Sequence, residues 1–140
     1  MQTITLHQPR RLVFGRGSIA DCISYLRELG PAHLRILTSP FLTEAAGRIK
    51  RELAIDGIGV SIDMSIVGEP TVQDCHAAVS AAEAMGSTCI LGLGGGSVLD
   101  VSKLVAAFVR GEQQLEETFG ISTAFARMPP GVYANNIWDR

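Results

Sequence analysis

Three consecutive glycines between an apolar run and an amphipathic segment constrain this chain more than any other feature. Residues 89–93 read as a buried strand, and Gly94-Gly95-Gly96 interrupts it. Ser97 then opens an apolar-periodic stretch over residues 98–109, giving strand, glycine turn and helix in succession. A helix N-terminus offers unpaired N–H groups and the positive end of the helix dipole, so a phosphate is the guest it suits. Glycine at that place lets a ligand approach the main chain where a Cβ would block it. A tight turn without a ligand is the competing reading. Ser97 as N-cap would make Asp100 the third helical residue, an S-x-x-D capping box, and Lys103 would pair with Asp100 across one turn.

The rest of the chain repeats the alternation. Residues 3–6 and 11–14 suggest two short strands around Gln8-Pro9, and Ser18 is placed to N-cap a helix with Ile19, Cys22, Ile23, Leu26 and Leu29 on one face. Gly30-Pro31 ends it. A buried strand over 34–38 leads through Ser39-Pro40 into a helix over 42–56, with Ala45, Ile49 and Leu53 inward. A strand over 60–67 alternates Ile62, Met64 and Ile66. After Gly68-Glu69-Pro70, Thr71-Val72-Gln73-Asp74 has the form of a capping box opening a helix to about residue 85. Its inner stripe is expected to be Val72, Cys75, Val79 and Ala82. The helix after the glycines runs to about Arg110, and residues 113–119 add a helical turn. Strands alternating with helices imply an α/β fold, a Rossmann-like parallel sheet flanked by helices with right-handed crossovers. Such a sheet binds ligands at the carboxyl ends of its strands, the edge shared by Thr38-Ser39-Pro40, residues 67–71 and Gly94-Gly95-Gly96-Ser97.

Composition excludes several classes. The 140 residues form one domain by length, and 46% hydrophobic against 19% charged residues excludes a disordered chain. A net charge of −2 gives no footprint for nucleic acid or anionic membranes. No apolar run approaches the roughly 20 residues of a membrane span. Residues 1–5 lack a secretory pattern, and Cys22, Cys75 and Cys89, odd in number and without C-x-x-C spacing, read as reduced thiols of a cytoplasmic protein. His7, His33 and His76 share no metal-ligand spacing, and Cys75 and His76 project about 100° apart on a helix. These residues alone supply no catalytic acid, base or metal. Gly92-x-Gly94-x-x-Ser97 matches the dinucleotide fingerprint only with its last glycine lost, and it follows a late strand rather than the first.

Gly94-Gly95-Gly96-Ser97-Val98-Leu99-Asp100-Val101-Ser102-Lys103 resembles the G-G-G-S-x-x-D-x-[AS]-K signature of the iron-containing (group III) alcohol dehydrogenase family. Relatives of that family include glycerol dehydrogenase, maleylacetate reductase and, more distantly, dehydroquinate synthase. Two further pieces agree in order: Phe14-Gly15-Arg16-Gly17-Ser18 is similar to an early F-G-x-G-[AS] turn, and Glu69-Pro70-Thr71 stands where the family has N-P-T. The resemblance implies a dehydroquinate synthase-like N-terminal domain over residues 1–125 that holds NAD or NADP. The pyrophosphate would lie on the backbone N–H groups of Gly95, Gly96 and Ser97. Gly94, Asp100 and Lys103 would shape that loop, while Thr38, Ser39, Pro70 and Thr71 flank the adenosine side. It also implies a helical second domain in the full-length protein, binding Fe²⁺ or Zn²⁺ and a small alcohol or aldehyde, and a possible homo-oligomer. A 140-residue product is then expected to be inactive alone; a non-catalytic nucleotide-binding or interaction module and a dehydroquinate synthase-like or glycerol dehydrogenase-like relative are the other readings. Ser39 stands where NAD-preferring members often carry an Asp that bonds the ribose 2′-hydroxyl, and its lack of charge permits NADP. Glu69 in place of Asn removes an amide donor.

The tail over 126–140 departs from the family, which continues with P-T-T-x-G-T-G-S-E. Codons for Met128 to Arg140, read one nucleotide later, are compatible with C-L-L-V-C-M-P-T-T-S-G-T-G. The tail is therefore expected to be a frameshifted, poorly ordered reading of that motif. Resequencing the gene checks this, and nucleotides that do not encode P-T-T-S-G-T-G in the neighbouring frame contradict it.

Overall fold

The computed structural model describes Arg11 and residues 13–109. Expectations for residues 3–6, the helical turn over 113–119 and the tail over 126–140 lie outside the described residues. Helix α1 (Ile19–Leu29) precedes β1 (His33–Thr38); a 3-10 turn (Pro40–Leu42) and α2 (Thr43–Ile55) lead to β2 (Gly59–Asp63). Then follow α3 (Val72–Ala84), β3 (Cys89–Leu93) and α4 (Gly96–Phe108). The three strands form a parallel sheet in the order β2-β1-β3, with Leu34 opposite both Val60 and Cys89.

The chain steps from β1 out to β2, then back across β1 to β3. Crossovers of one hand must then put α2 and α3 on opposite faces, and they do. On one face Leu34, Ile36, Cys89, Leu91 and Leu93 pack against Ile19, Ile23 and Leu26 of α1 and Ala46, Ile49 and Leu53 of α2. On the other, Leu37 and Ile90 meet Cys75, Ala78 and Ala82 of α3 and Val98, Val101 and Val105 of α4. Side chains alternate between faces along each strand, so covering both faces turns β1 and β3 into near-continuous apolar runs. Each large aliphatic side chain buried this way contributes about 1.5–3 kcal/mol.

Several local expectations change. Ser18 does occupy the N-cap position of α1, its carbonyl accepting from the Cys22 N–H, but its φ/ψ of −59°/−10° is already helical and its side chain makes no capping bond. Gly30 does end that helix, at φ +56°, with its N–H on the Leu26 carbonyl. Arg11, Val13 and Phe14 carry no strand. Strand β2 stops at Asp63, because the Asp63 Oδ1 accepts the Ser65 N–H at 2.9 Å and draws the backbone out of the ladder. Met64 and Val67 are consequently exposed, while Ile66 turns back into the core. In α2 Ala46 takes the buried position and Ala45 lies at its margin. In α3 the buried stripe is Cys75, Ala78 and Ala82, with Val79 half-buried against it as expected; Val72, 52% exposed, points outward from the first turn.

All three cysteines are buried, and none is in a disulfide among the described residues. Burial, with the neighbouring Cys89, pushes the Cys22 thiol up to about 12, and burial with Asp74 raises Cys75. Since the thiolate is the reactive form, a thiol-disulfide reagent at about pH 8 should label none of them until denaturant is added. Rapid labelling of the native chain would contradict this burial. Among the described residues, no helix is long and apolar enough to cross a membrane.

Candidate functional site

The connections after β1 and β3, adjacent in the sheet, leave toward opposite faces: α2 packs on one and α4 on the other. In open α/β sheets such a divergence marks the crevice outside the strand ends where ligands bind. Thr38 and Leu93, the last residues of the two strands, lie in register, and the buried Thr38 Oγ1 donates to the Leu93 carbonyl at 2.8 Å. Thr38 therefore stitches the floor of the crevice, and its hydroxyl is spent on the main chain. Ser39, extended at φ −91° and ψ 157° and half-buried, forms the adjoining rim.

The glycines divide into two pairs. A Cβ on Gly92 would stand 2.7 Å from Ser102 Oγ and 2.8 Å from Ser102 Cβ, and one on Gly94 would stand 3.0 Å from Val98 Cβ. These two permit β3 and α4 to approach. Among the described residues, a Cβ on Gly95 or Gly96 would meet nothing within 4 Å, and neither has a positive φ. Neither the packing of the described residues nor the backbone conformation requires glycine there. Among these residues the space in front of them is open, and a side chain would fill it.

Helix α4 begins two residues earlier than the sequence suggested. Its N-cap is Gly95, not Ser97, with no side-chain capping bond, and Leu99 N–H on the Gly95 carbonyl is the first intrahelical bond. The expected Ser97–Asp100 capping box is therefore absent, since Asp100 sits a full turn inside the helix. The N–H groups of the first turn, at Gly96, Ser97 and Val98, have no intrahelical acceptor. That turn contains no acidic residue, whereas α1, α2 and α3 carry Asp21, Glu44 and Asp74 in theirs. Asp100 and Lys103 do form their exposed pair at 3.1 Å, at a distance along α4 from the bare turn.

The start of α3 is closed upon itself. Thr71 Oγ1 accepts the Asp74 N–H at 3.2 Å and donates to Asp74 Oδ2 at 2.7 Å, while the Thr71 N–H donates to the same carboxylate at 2.8 Å. Those bonds hold the Asp74 carboxyl below its ordinary value. Thr71 is thus occupied by Asp74, and it follows the half-buried Pro70. Glu69 is exposed beside them.

Two features escaped the sequence reading. The Gly92–Ser102 contact needed the strand–helix distance. The other is an ion pair between Arg35 Nη2 and Asp63 Oδ2 at 2.6 Å, both side chains 8% exposed, whose only sequence signal is one arginine inside an apolar strand. Burial pushes the Asp63 carboxyl up, but hydrogen bonds from Ser65 and Arg35 and the Arg35 charge outweigh it, leaving it below its usual 3.8. A depressed carboxylate stabilises the fold above its unfolded-state value and loses that contribution as pH falls through the folded one. Thermal midpoints should fall steeply below about pH 4, and Asp63→Asn should flatten that acid limb. The variant should also cost about 3 kcal/mol at neutral pH by stranding Arg35. An unchanged acid limb would contradict the pairing.

His33 lies at the start of β1 with its Nδ1 3.3 Å from Ser87 Oγ, and burial with the Arg35 charge lowers its pKa. His76 is on the exposed side of α3 beside the buried Cys75, so the two do not converge, and His7 lies outside the described residues. Among the described residues no group of three or more His, Cys, Asp or Glu has a metal-binding arrangement. A shallow hollow lined by Arg27, Gly30, Pro31, Asp56, Gly57 and Ile58 lies at the amino edge of the sheet, away from the glycine turn.

Comparison with known proteins decides the family. The model of the family described as iron-containing alcohol dehydrogenase matches residues 9–132. The chain belongs to that family. It is 31% identical over 128 residues to the probable alcohol dehydrogenase EutG of Escherichia coli, covering 89% of this chain and 32% of that protein. It is 33% identical over 114 residues to the NADPH-dependent aldehyde reductase YqhD of E. coli, covering 76% and 27%. The crystal structure of NADH-dependent butanol dehydrogenase A from Thermotoga maritima superposes with a TM-score of 0.75 at 26% identity, over 96% of this chain and 34% of that one. The chain spans about a third of the length of the curated relatives it matches. The parallel sheet flanked by helices is the α/β fold of these alcohol dehydrogenases.

Proposed function

We propose that this chain is the dinucleotide-binding part of an NAD(P)-dependent oxidoreductase that interconverts alcohols and aldehydes. The observation that carries the proposal is the open space at Gly95 and Gly96, before a helix start without a capping side chain or an acidic residue in its first turn. The backbone N–H groups of Gly95, Gly96 and Ser97 hold the pyrophosphate there, with the α4 dipole adding to the attraction. Gly94 and Gly92 set the height of that turn above β3. Thr38 keeps the crevice floor closed, and Ser39, Pro70 and Thr71 line the adenosine side. Asp100 and Lys103 act as a pair on the flank of α4, outside the contact. The bound dinucleotide supplies or accepts hydride; the residues of this chain hold and orient it.

Ser39 places no carboxylate at the rim, so either a ribose 2′-hydroxyl or a 2′-phosphate is accommodated. Relatives whose names specify NADH and NADPH bracket this chain. Among the described residues no group of three or more His, Cys, Asp or Glu could hold a metal ion, so metal chemistry is proposed for the full-length protein and not for these residues. The 140 residues alone are proposed to bind dinucleotide without turnover. Calorimetric titration with NAD⁺ and NADP⁺ tests the reading: saturable one-to-one binding of at least one is expected. Absence of binding by both overturns the cofactor assignment, and alcohol-dependent reduction by this chain overturns the assignment of turnover to the whole protein.

A further inference from the structure

One guanidinium touches both ends of the crossover between β2 and β3. Arg35 lies in the middle of β1, on the sheet face covered by α3 and α4, flanked by the buried Leu34, Ile36 and Leu37. Its Nη2 donates to Asp63, the last residue of β2, and its Nη1 lies 3.1 Å from the sulfur of Met85, which closes α3. Between these anchors run the loop over 64–71 and α3 itself, the segment that brings Glu69-Pro70-Thr71 to the carboxyl edge.

Stability does not account for the pair. A buried ion pair gains little over well-packed apolar side chains of the same volume. Here Arg35 Nε and the Oγ of Ser61, its register partner on β2, are also buried without hydrogen-bond partners, a further cost. What the pair supplies is direction. With Asp63 Oδ2 held by Arg35, Oδ1 accepts the Ser65 N–H at 2.9 Å, and β2 ends there. Ile66 then returns to the core while Val67, Gly68 and Glu69 are left outside.

From this geometry we infer that Arg35 and Asp63 are positioning residues for the dinucleotide, fixing the course of the loop over 64–71 so that Glu69-Pro70-Thr71 stands as a preformed lip of the crevice. The inference rests on the cofactor reading above. A preformed loop spares the ordering cost that a free loop incurs on binding.

The test replaces the pair with an apolar one, Arg35→Met with Asp63→Leu, in the 140-residue chain. The thermal midpoint is expected to stay near that of the unsubstituted chain, while the Kd for NAD⁺ or NADP⁺ rises about tenfold, the cost of ordering a few loop residues. Amide exchange at Ser65 to Gly68 is expected to accelerate, with α4 unaffected. Unchanged affinity in the double variant overturns the inference. The unsubstituted chain provides a check that needs no variant: its Ser65 amide is expected to be protected, and exchange at the rate of an open loop overturns the inference. Failure of the unsubstituted chain to bind either dinucleotide refutes the cofactor reading instead, whatever the loop exchange shows.

Discussion

Valine at both Gly95 and Gly96 is expected to leave the chain folded and to abolish dinucleotide binding. Among the described residues the two Cβ atoms would meet nothing within 4 Å, and neither backbone has a positive φ, so the described fold has room for them. The loss of an N-cap glycine at residue 95 costs about 1 kcal/mol, and valine at 96 returns a few tenths within the helix. Thermal unfolding should therefore shift by only a few degrees. The same side chains fill the space in front of the first-turn N–H groups, where a phosphate oxygen must come within about 3 Å. Calorimetry should show binding weakened beyond about a hundredfold, roughly the loss of two charge-assisted hydrogen bonds. Binding that persists in a folded Gly95→Val, Gly96→Val variant would remove the glycine turn from the site.

Gly92→Val is expected to do the reverse, damaging the fold before the ligand is considered. Its Cβ would stand 2.7 Å from Ser102 Oγ and 3.3 Å from Leu99 Cδ2. Ser102 is fully buried and its hydroxyl is fixed on the Val98 carbonyl at 2.7 Å, so it cannot step aside. Helix α4 would have to lift from β3, and overpacking of this kind costs about 1–3 kcal/mol. Denaturant unfolding should show that loss directly. The pairing can be isolated with Gly92→Ala and Ser102→Gly, alone and together. The double variant should be more stable than the sum of the single losses predicts, because removing the Ser102 side chain makes room for the new methyl. Strict additivity would show that the contact is not what glycine serves at 92.

The two glycine pairs also mark how far the sequence could be read. Three glycines between an apolar run and a helical period announced the strand-turn-helix succession, and strands β1 and β3 were legible because both faces of the sheet are covered. That Gly92 and Gly94 serve packing while Gly95 and Gly96 face open space was not legible, since it depends on where Ser102 and Val98 stand. Ser97 looked like a cap because serine caps well, but a glycine N-cap moved the helix start two residues upstream. Strand β2 looked longer than it is because Met64 and Ile66 continue the alternation; Asp63 ends it through its own side chain, in a conformation held by Arg35 twenty-eight residues away. Long-range pairing of that kind leaves no periodic trace. Val72 matched the expected stripe by spacing, yet it is the first residue of α3 and lies exposed, while Ala78 joins Cys75 and Ala82 in the core.

The central claim is that backbone N–H groups at the start of α4 hold the pyrophosphate. Amide ¹H–¹⁵N shifts of the chain, followed during titration with NAD⁺ and NADP⁺, test it at the atoms concerned. The largest changes are expected at Gly95, Gly96 and Ser97, with smaller ones at Ser39 and Thr71. Largest changes around Arg27, Asp56 and Ile58 at the amino edge, with the three glycine-turn amides unmoved, would contradict it.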